Sequence, residues 1–192
     1  INGAGNILVD CRLEKTNGKW AETPRIGLNI ELLPSLNQVS WYGRGPFESY
    51  WDRKTGAPIG IYSGSVADQY WAYLRPQENG NKTDVRWIEL INPTSGSGLR
   101  FKGMPTVDFS VHHQIMEDFE SLERTDGRHR DGEVVKNRHT IDVQQRDLTS
   151  LHIDYRQMGV GGDNSWGART HPEYTLNGKS YAYSFVIIPI QK

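Results

Sequence analysis

The sequence is short of most features that would point to a common function class. Among its 192 residues there is one cysteine, Cys11, so no internal disulfide can form. It falls in the strand-like run Ile7-Leu8-Val9-Asp10-Cys11, where a small half-buried apolar residue is a simpler reading than a reactive thiol. No apolar run approaches the ~20 residues that a membrane-spanning helix requires. The longest, Phe185-Val186-Ile187-Ile188, has strand length. The formal net charge is −1, which gives no electrostatic ground for a nucleic-acid or acidic-membrane partner. There is no GxSxG elbow, no HExxH and no GxxxxGK[ST] phosphate loop. His112-His113 are adjacent, so in a strand they point to opposite faces, and His129, His139, His152 and His171 have no ligand spacing. No metal site is expected. The first residues carry no secretory-signal pattern. A chain that opens on Ile1 and soon enters a strand pattern reads as a piece of a longer polypeptide, and no compartment is assigned to it.

Helical periodicity is scarce as well; period two dominates. Tyr181, Tyr183, Phe185 and Ile187 alternate with Ala182, Ser184, Val186 and Ile188, as in a strand covered on both faces. Val107, Phe109 and Val111 alternate with Asp108 and Ser110, and Leu151, Ile153 and Tyr155 with His152, Asp154 and Arg156, which predicts strands with one wet face. Further strands are expected over residues 6–13, 25–33, 38–42, 84–91, 99–102 and 138–144, with one helical turn over 114–122. Short strands, 20 glycines and 9 prolines predict an all-β antiparallel sandwich with little helix, one domain over 1–192. A chain of this length can bury roughly 70% of its unfolded surface and hold its own core.

Two long connections, 43–60 and 63–83, carry Phe47, Tyr50, Trp51, Tyr70, Trp71 and Tyr73, with Tyr62 between them. Most of these aromatics are expected to pin the loops onto the sheets. Residues 122–136 read as a solvated excursion of balanced charge. The sharpest local feature is Met158-Gly159-Val160-Gly161-Gly162-Asp163-Asn164-Ser165-Trp166-Gly167. Its glycines permit tight turns, and Asp163, Asn164 and Ser165 can bond their own turn or a polar ligand. The pattern leaves two readings of Trp166 open: an exposed flat platform of the kind sugars stack on, or a ring folded back into the core. A retaining glycosidase needs two carboxyl groups ~5 Å apart. Glu48, Asp52, Glu78 and Asp163 lie in loop-like segments, but local structural uses are the simpler reading: Asp52-Arg53 as an ion pair, Glu78-Asn79-Gly80 as a turn.

Taken in order, three blocks resemble one family. Trp41-Tyr42-Gly43-Arg44-Gly45-Pro46-Phe47-Glu48-Ser49-Tyr50-Trp51-Asp52-Arg53 is similar to the W-x-G-x-G-P-x-E-x-Y-x-D-R signature of LacZ-type β-galactosidases, in their C-terminal small-chain domain. Pro76-Gln77-Glu78-Asn79-Gly80 resembles that family's P-[QS]-E-N-G block, and the segment 158–166 its M-G-[VI]-G-G-D-D-S-W block, with Asn164 where the family commonly has Asp. The resemblance implies a large antiparallel super-sandwich similar to galactose mutarotase. It implies that Trp166 reaches the sugar site as an apolar platform on the aglycone side, with Asp163 and Asn164 shaping its loop.

By the same resemblance, the catalytic glutamates lie in an upstream (β/α)8 barrel. The magnesium and sodium sites lie upstream too, so this chain holds no cofactor and no catalytic residue. Its expected partners are that barrel and a β-galactoside, in a parent that assembles as a homo-oligomer. Removal from the barrel should leave an apolar patch exposed. Two other readings are an autonomous carbohydrate-binding module, with Trp51 or Trp71 exposed beside Trp166, and a mutarotase-like epimerase using His112 or His152 with Glu78.

Overall fold

The computed structural model describes residues 1–16, 18, 21–119 and 139–191. Among them are eight strands: β1 (Ile7–Glu14), β2 (Arg25–Leu32), β3 (Gln38–Arg44), β4 (Ile59–Ser65), β5 (Lys82–Ile91), β6 (Gly98–His112), β7 (Thr149–Gln157) and β8 (Ser180–Ile190). All pairings are antiparallel, in the order β1-β8-β6-β5-β3-β4, with β7 and then β2 branching from β6. Helical structure among the described residues is confined to four short 3₁₀ turns. The chain is all-β, as its period-two patterning predicts.

The branch makes the sandwich. Residues 98–104 of β6 pair with β8, and residues 108–112 pair with β7. Pro105, which has no N–H to give a ladder, lies between the two pairing segments. β5 carries register irregularities of its own on either side of Val85, and its Asp84 has φ +57°. The two wings close over a core in which Trp41, Ile88, Phe101 and Phe185 meet Val107, Phe109, Leu151 and Ile153. The Trp41 and Phe109 rings lie edge to face at 5.8 Å, and Tyr183 Oη on β8 donates to Ile153 O on β7 at 2.9 Å.

Alternation sends the remaining side chains to the other faces of the layers. On the outer face of the larger layer, Leu8, Val186, Lys102, Trp87, Tyr42 and Ile61 are successive cross-strand partners across six strands. Leu8, Tyr42 and Ile61 of this row are exposed.

Three expectations need correction, and the expected helical turn is found in shorter form. β4 falls largely inside what the sequence suggests are two connections, because Gly60, Ser63, Gly64 and Ser65 dilute its apolar signal. Residues 139–144 form no strand: a 3₁₀ turn spans Thr140–Asp142, with His139 N donating to Asp142 Oδ2 at 2.9 Å. The helical turn expected over 114–122 appears as a 3₁₀ turn at Met116–Phe119, its last residues lying outside the described ones, as do those of the charged excursion 122–136. The polar faces of β6 and β7 are not wet: Asp108, Ser110, His112, Ser150, His152 and Asp154 are all buried. Residues from a long connection, from the 3₁₀ turn Met116–Phe119 and from β2 cover them. His112 Nε2 meets Asn79 Oδ1 at 3.0 Å, Phe119 packs on the His112 ring, and Arg25 from β2 reaches Asp154 at 3.3 Å. Cys11 is half-buried against the core.

Candidate functional site

The glycine-rich loop leaves the end of β7 and is fixed at its base by backbone bonds. Met158 N donates to Pro24 O at 2.8 Å and Gly159 N to Tyr174 O at 2.9 Å. Gly161 N then donates to Asp52 Oδ2 at 2.7 Å. Glycine is required here by close approach: a Cβ on Gly159 would lie 2.7 Å from Asp52 Cγ, and one on Gly162 2.1 Å from Ala168 O. Asn164 Oδ1 accepts from Trp166 N at 2.8 Å, the self-bonded turn open to an Asx residue. Asp163 receives His171 Nε2 at 2.9 Å on both oxygens, and this bond with the acidic charges of Asp163 and Glu173 raises the His171 pKa. At the tip, Trp166 is 91% exposed instead of folded into the core.

The other two motif blocks converge behind this loop. Arg44 closes the β3–β4 connection by donating to Lys54 O and Ala57 O, while its Nε pairs with Asp84 at 2.6 Å. Within that connection Glu48 accepts from Gly80 N at 2.8 Å, from Arg53 Nη2 at 2.5 Å and from Tyr73 Oη. Gly80, at φ +75°, belongs to the second block, as do Asn79 and Glu78. Glu78 pairs with Arg25 at 2.8 Å and accepts from the buried Tyr50 hydroxyl at 3.4 Å. Burial pushes Glu78 up, with Arg25 pulling the other way, and burial beside two glutamates pushes the Tyr50 hydroxyl well up. Lys82, fully buried, donates to Gly80 O at 2.9 Å and lies 5.3 Å from the Trp41 ring; desolvation pulls its pKa down to about 8.

The four loop carboxylates therefore each have a local occupation. Glu48 serves the Gly80 backbone and Arg53, Glu78 serves Arg25, Asp52 anchors Gly161 and Asp163 holds His171. The expected Asp52–Arg53 ion pair does not form, because Arg53 turns to Glu48 and frees Asp52 for the glycine loop. Glu78 meets neither histidine of the epimerase reading: His112 is bonded to Asn79, and Arg25 occupies Glu78. Among the described residues no group of three or more His, Cys, Asp or Glu is placed to share a metal ion. The aromatics divide. Tyr50 is buried, Trp51 packs on Tyr174 at 6.0 Å under the Arg156 guanidinium, and Phe47 and Trp71 stay exposed as a tilted pair 6.0 Å apart. Sequence reasoning missed Asp52 as the loop's anchor, since nothing local signals a bond across 109 positions.

Comparison with known proteins places this arrangement. The family model described as "Beta galactosidase small chain" matches residues 1–187. The chain belongs to the β-galactosidase small-chain family. It is 41% identical over 170 residues to a β-galactosidase of Priestia megaterium, an alignment covering 88% of this chain and 15% of that protein. It is 33% identical over 192 residues to one of Streptococcus thermophilus, covering 99% and 17% respectively. One of Pseudoalteromonas haloplanktis is 32% identical over 188 residues, covering 97% and 16%. The small-chain segment thus spans about a sixth of the length of these relatives.

Proposed function

We propose that this chain is one domain of a longer retaining β-galactosidase that hydrolyses terminal β-D-galactosides such as lactose. Its part is to supply Trp166 as an apolar platform for the sugar on the leaving-group side. The observation that carries this reading is a 91%-exposed indole on a loop whose base is locked to a separate connection through Asp52. A large apolar side chain held at the tip of an ordered polar loop suits a ligand whose C–H face stacks while its hydroxyls meet nearby polar groups.

The chain does no bond-breaking itself. Retaining hydrolysis needs one carboxyl as acid and base and a second as nucleophile. Here the loop carboxylates hold backbone and cationic partners, and the family resemblance assigns the two catalytic glutamates to an upstream barrel. The magnesium and sodium ions of such an enzyme are likewise held outside this chain. The exposed Leu8, Tyr42 and Ile61 on the outer face of the larger layer suit packing against the rest of the polypeptide, or against another subunit of a homo-oligomer.

Trp166→Ala in the intact enzyme is expected to weaken substrate binding and slow turnover while leaving the domain folded; unchanged kinetics would remove the assigned role. Calorimetric titration of the isolated chain with galactose and lactose separates this reading from an autonomous sugar-binding module, which the exposed Phe47 and Trp71 favour. No heat at millimolar sugar is the outcome expected of a platform without its barrel. Clear binding abolished by Trp166→Ala would establish the module instead.

A further inference from the structure

Three hollows share lining residues beside the Trp166 loop, and the loop's own residues line two of them. The largest, about 610 Å³, lies between Phe47, Trp71, Tyr73 and the turn 52–57. A second, about 360 Å³, runs from Tyr73 and Arg53 past Glu78 to the backbone of Gly159–Gly161. A third, about 380 Å³, lies between Asp52, Arg53, Asp163, His171 and Glu173. Arg53 lines all three, Asp52 the first and third, Tyr73 the first and second, and Gly161 the second and third. The shared residues set them side by side as a trough that runs from the exposed aromatic pair to the base of the loop that carries Trp166, which itself lines none of the three.

The lining selects a class of ligand. Phe47 and Trp71 offer two tilted ring faces, 58% and 38% exposed. The Arg53 side chain is half exposed but already balanced by Glu48, and His171 is balanced by Asp163. With its cations paired and Asp52, Asp163 and Glu173 along its walls, the trough gives no field to attract an anion. Apolar ring faces beside planar hydrogen-bonding groups suit a neutral polyhydroxylated chain.

We propose that this trough is an extended leaving-group subsite: when a β-galactoside carries further sugar residues beyond the ring stacked on Trp166, they run along Arg53 and end on Phe47 and Trp71. The inference rests on the reading of Trp166 as a sugar platform and deepens it from a single contact to a specificity-determining surface.

The test uses the intact enzyme and two substrates, lactose and a trisaccharide bearing a terminal β-galactosyl unit on lactose. Phe47→Ala and Trp71→Ala are expected to lower kcat/KM for the trisaccharide about five- to tenfold, through KM, while changing the value for lactose less than about twofold. Phe47→Trp, which keeps a ring, should restore the trisaccharide value and shows that a loss in the alanine variant is not misfolding. Equal losses on both substrates, or none on either, overturn the trough. Trp166→Ala in the same series separates the two claims. If it leaves lactose kinetics untouched, the platform reading fails; if it impairs lactose while the Phe47 and Trp71 variants shift no ratio, only the trough fails.

Discussion

Gly162→Ala isolates the geometry of the loop from the stability of the fold. A Cβ at this position would sit 2.1 Å from Ala168 O and 2.7 Å from Ala168 C. The obstructing atoms are backbone, which cannot swing aside as a side chain would, so one strand of the loop base must shift by about 1 Å. Residues 161–169 are all exposed, so the shift is absorbed by the segment carrying Trp166 and not by the core. Global stability should therefore fall by less than about 1 kcal/mol, as for other surface changes. Function should respond more strongly. Displacing a positioning group by ~1 Å can cost on the order of 10²-fold, so kcat/KM of the intact enzyme toward lactose should fall about ten- to a hundredfold. The assay pairs steady-state kinetics with thermal unfolding, and Gly3→Ala, at a position with nothing within 4 Å and outside the three hollows, serves as control. Kinetics indistinguishable from the parent would show that loop position does not matter to the site. Collapse of the fold would show that the loop base is part of the core, and either result refutes the reasoning.

Other consequences are equally open to measurement. Gly27→Ala would place a Cβ 1.8 Å from Asp154 Oδ1 and 2.7 Å from Asp154 Cα, so urea unfolding should show a loss of about 2–3 kcal/mol; a loss below about 0.5 kcal/mol would contradict the close approach. Burial pushes the carboxyls of Asp108 and Asp154 up to about 7, with Arg156 and Arg25 respectively pulling back, and burial pushes His112 and His152 down to about 3. The raised aspartates stabilise fully below their unfolded value near 4 and lose that contribution as pH rises through about 7; the depressed histidines stabilise above about 6.5 and lose theirs as pH falls toward 3. The opposed slopes should leave stability nearly level between about pH 4 and 6.5 and falling from there toward pH 8, a fall that Asp154→Asn should lessen. Stability that climbs between pH 6.5 and 8 would contradict the burial of the aspartates as acids. Finally, His171 should titrate above the ordinary imidazole range by NMR and return toward it in Asp163→Asn; an unmoved His171 would mean that the pair does not persist in solution.

Much of this protein is written in local pattern, and the reason is that local pattern reports which side of a strand meets the core. Alternation around Tyr181–Ile188, Val107–Val111 and Leu151–Tyr155 specifies strands because period two is a property of the extended backbone itself. The family is legible in the blocks 41–53, 76–80 and 158–166, which are distinctive as short strings of residues. Where local signal is diluted, as in the glycine- and serine-rich β4, or imitated, as around the 3₁₀ turn at Thr140–Asp142, the sequence misleads.

What only the tertiary structure decided is what each pattern faces. Asp108, His112, His152 and Asp154 alternate as residues of a wet face would, yet they are buried, because covering segments from distant parts of the chain supply Asn79, Phe119 and Arg25 as partners. Likewise the three blocks are separate strings until folding brings Asp52 against Gly161 and Glu48 against Gly80. Residue type and spacing determine the strands and the family, since both are local. The support of the Trp166 loop depends on contacts between residues far apart in the chain, and those exist only once the two wings have closed.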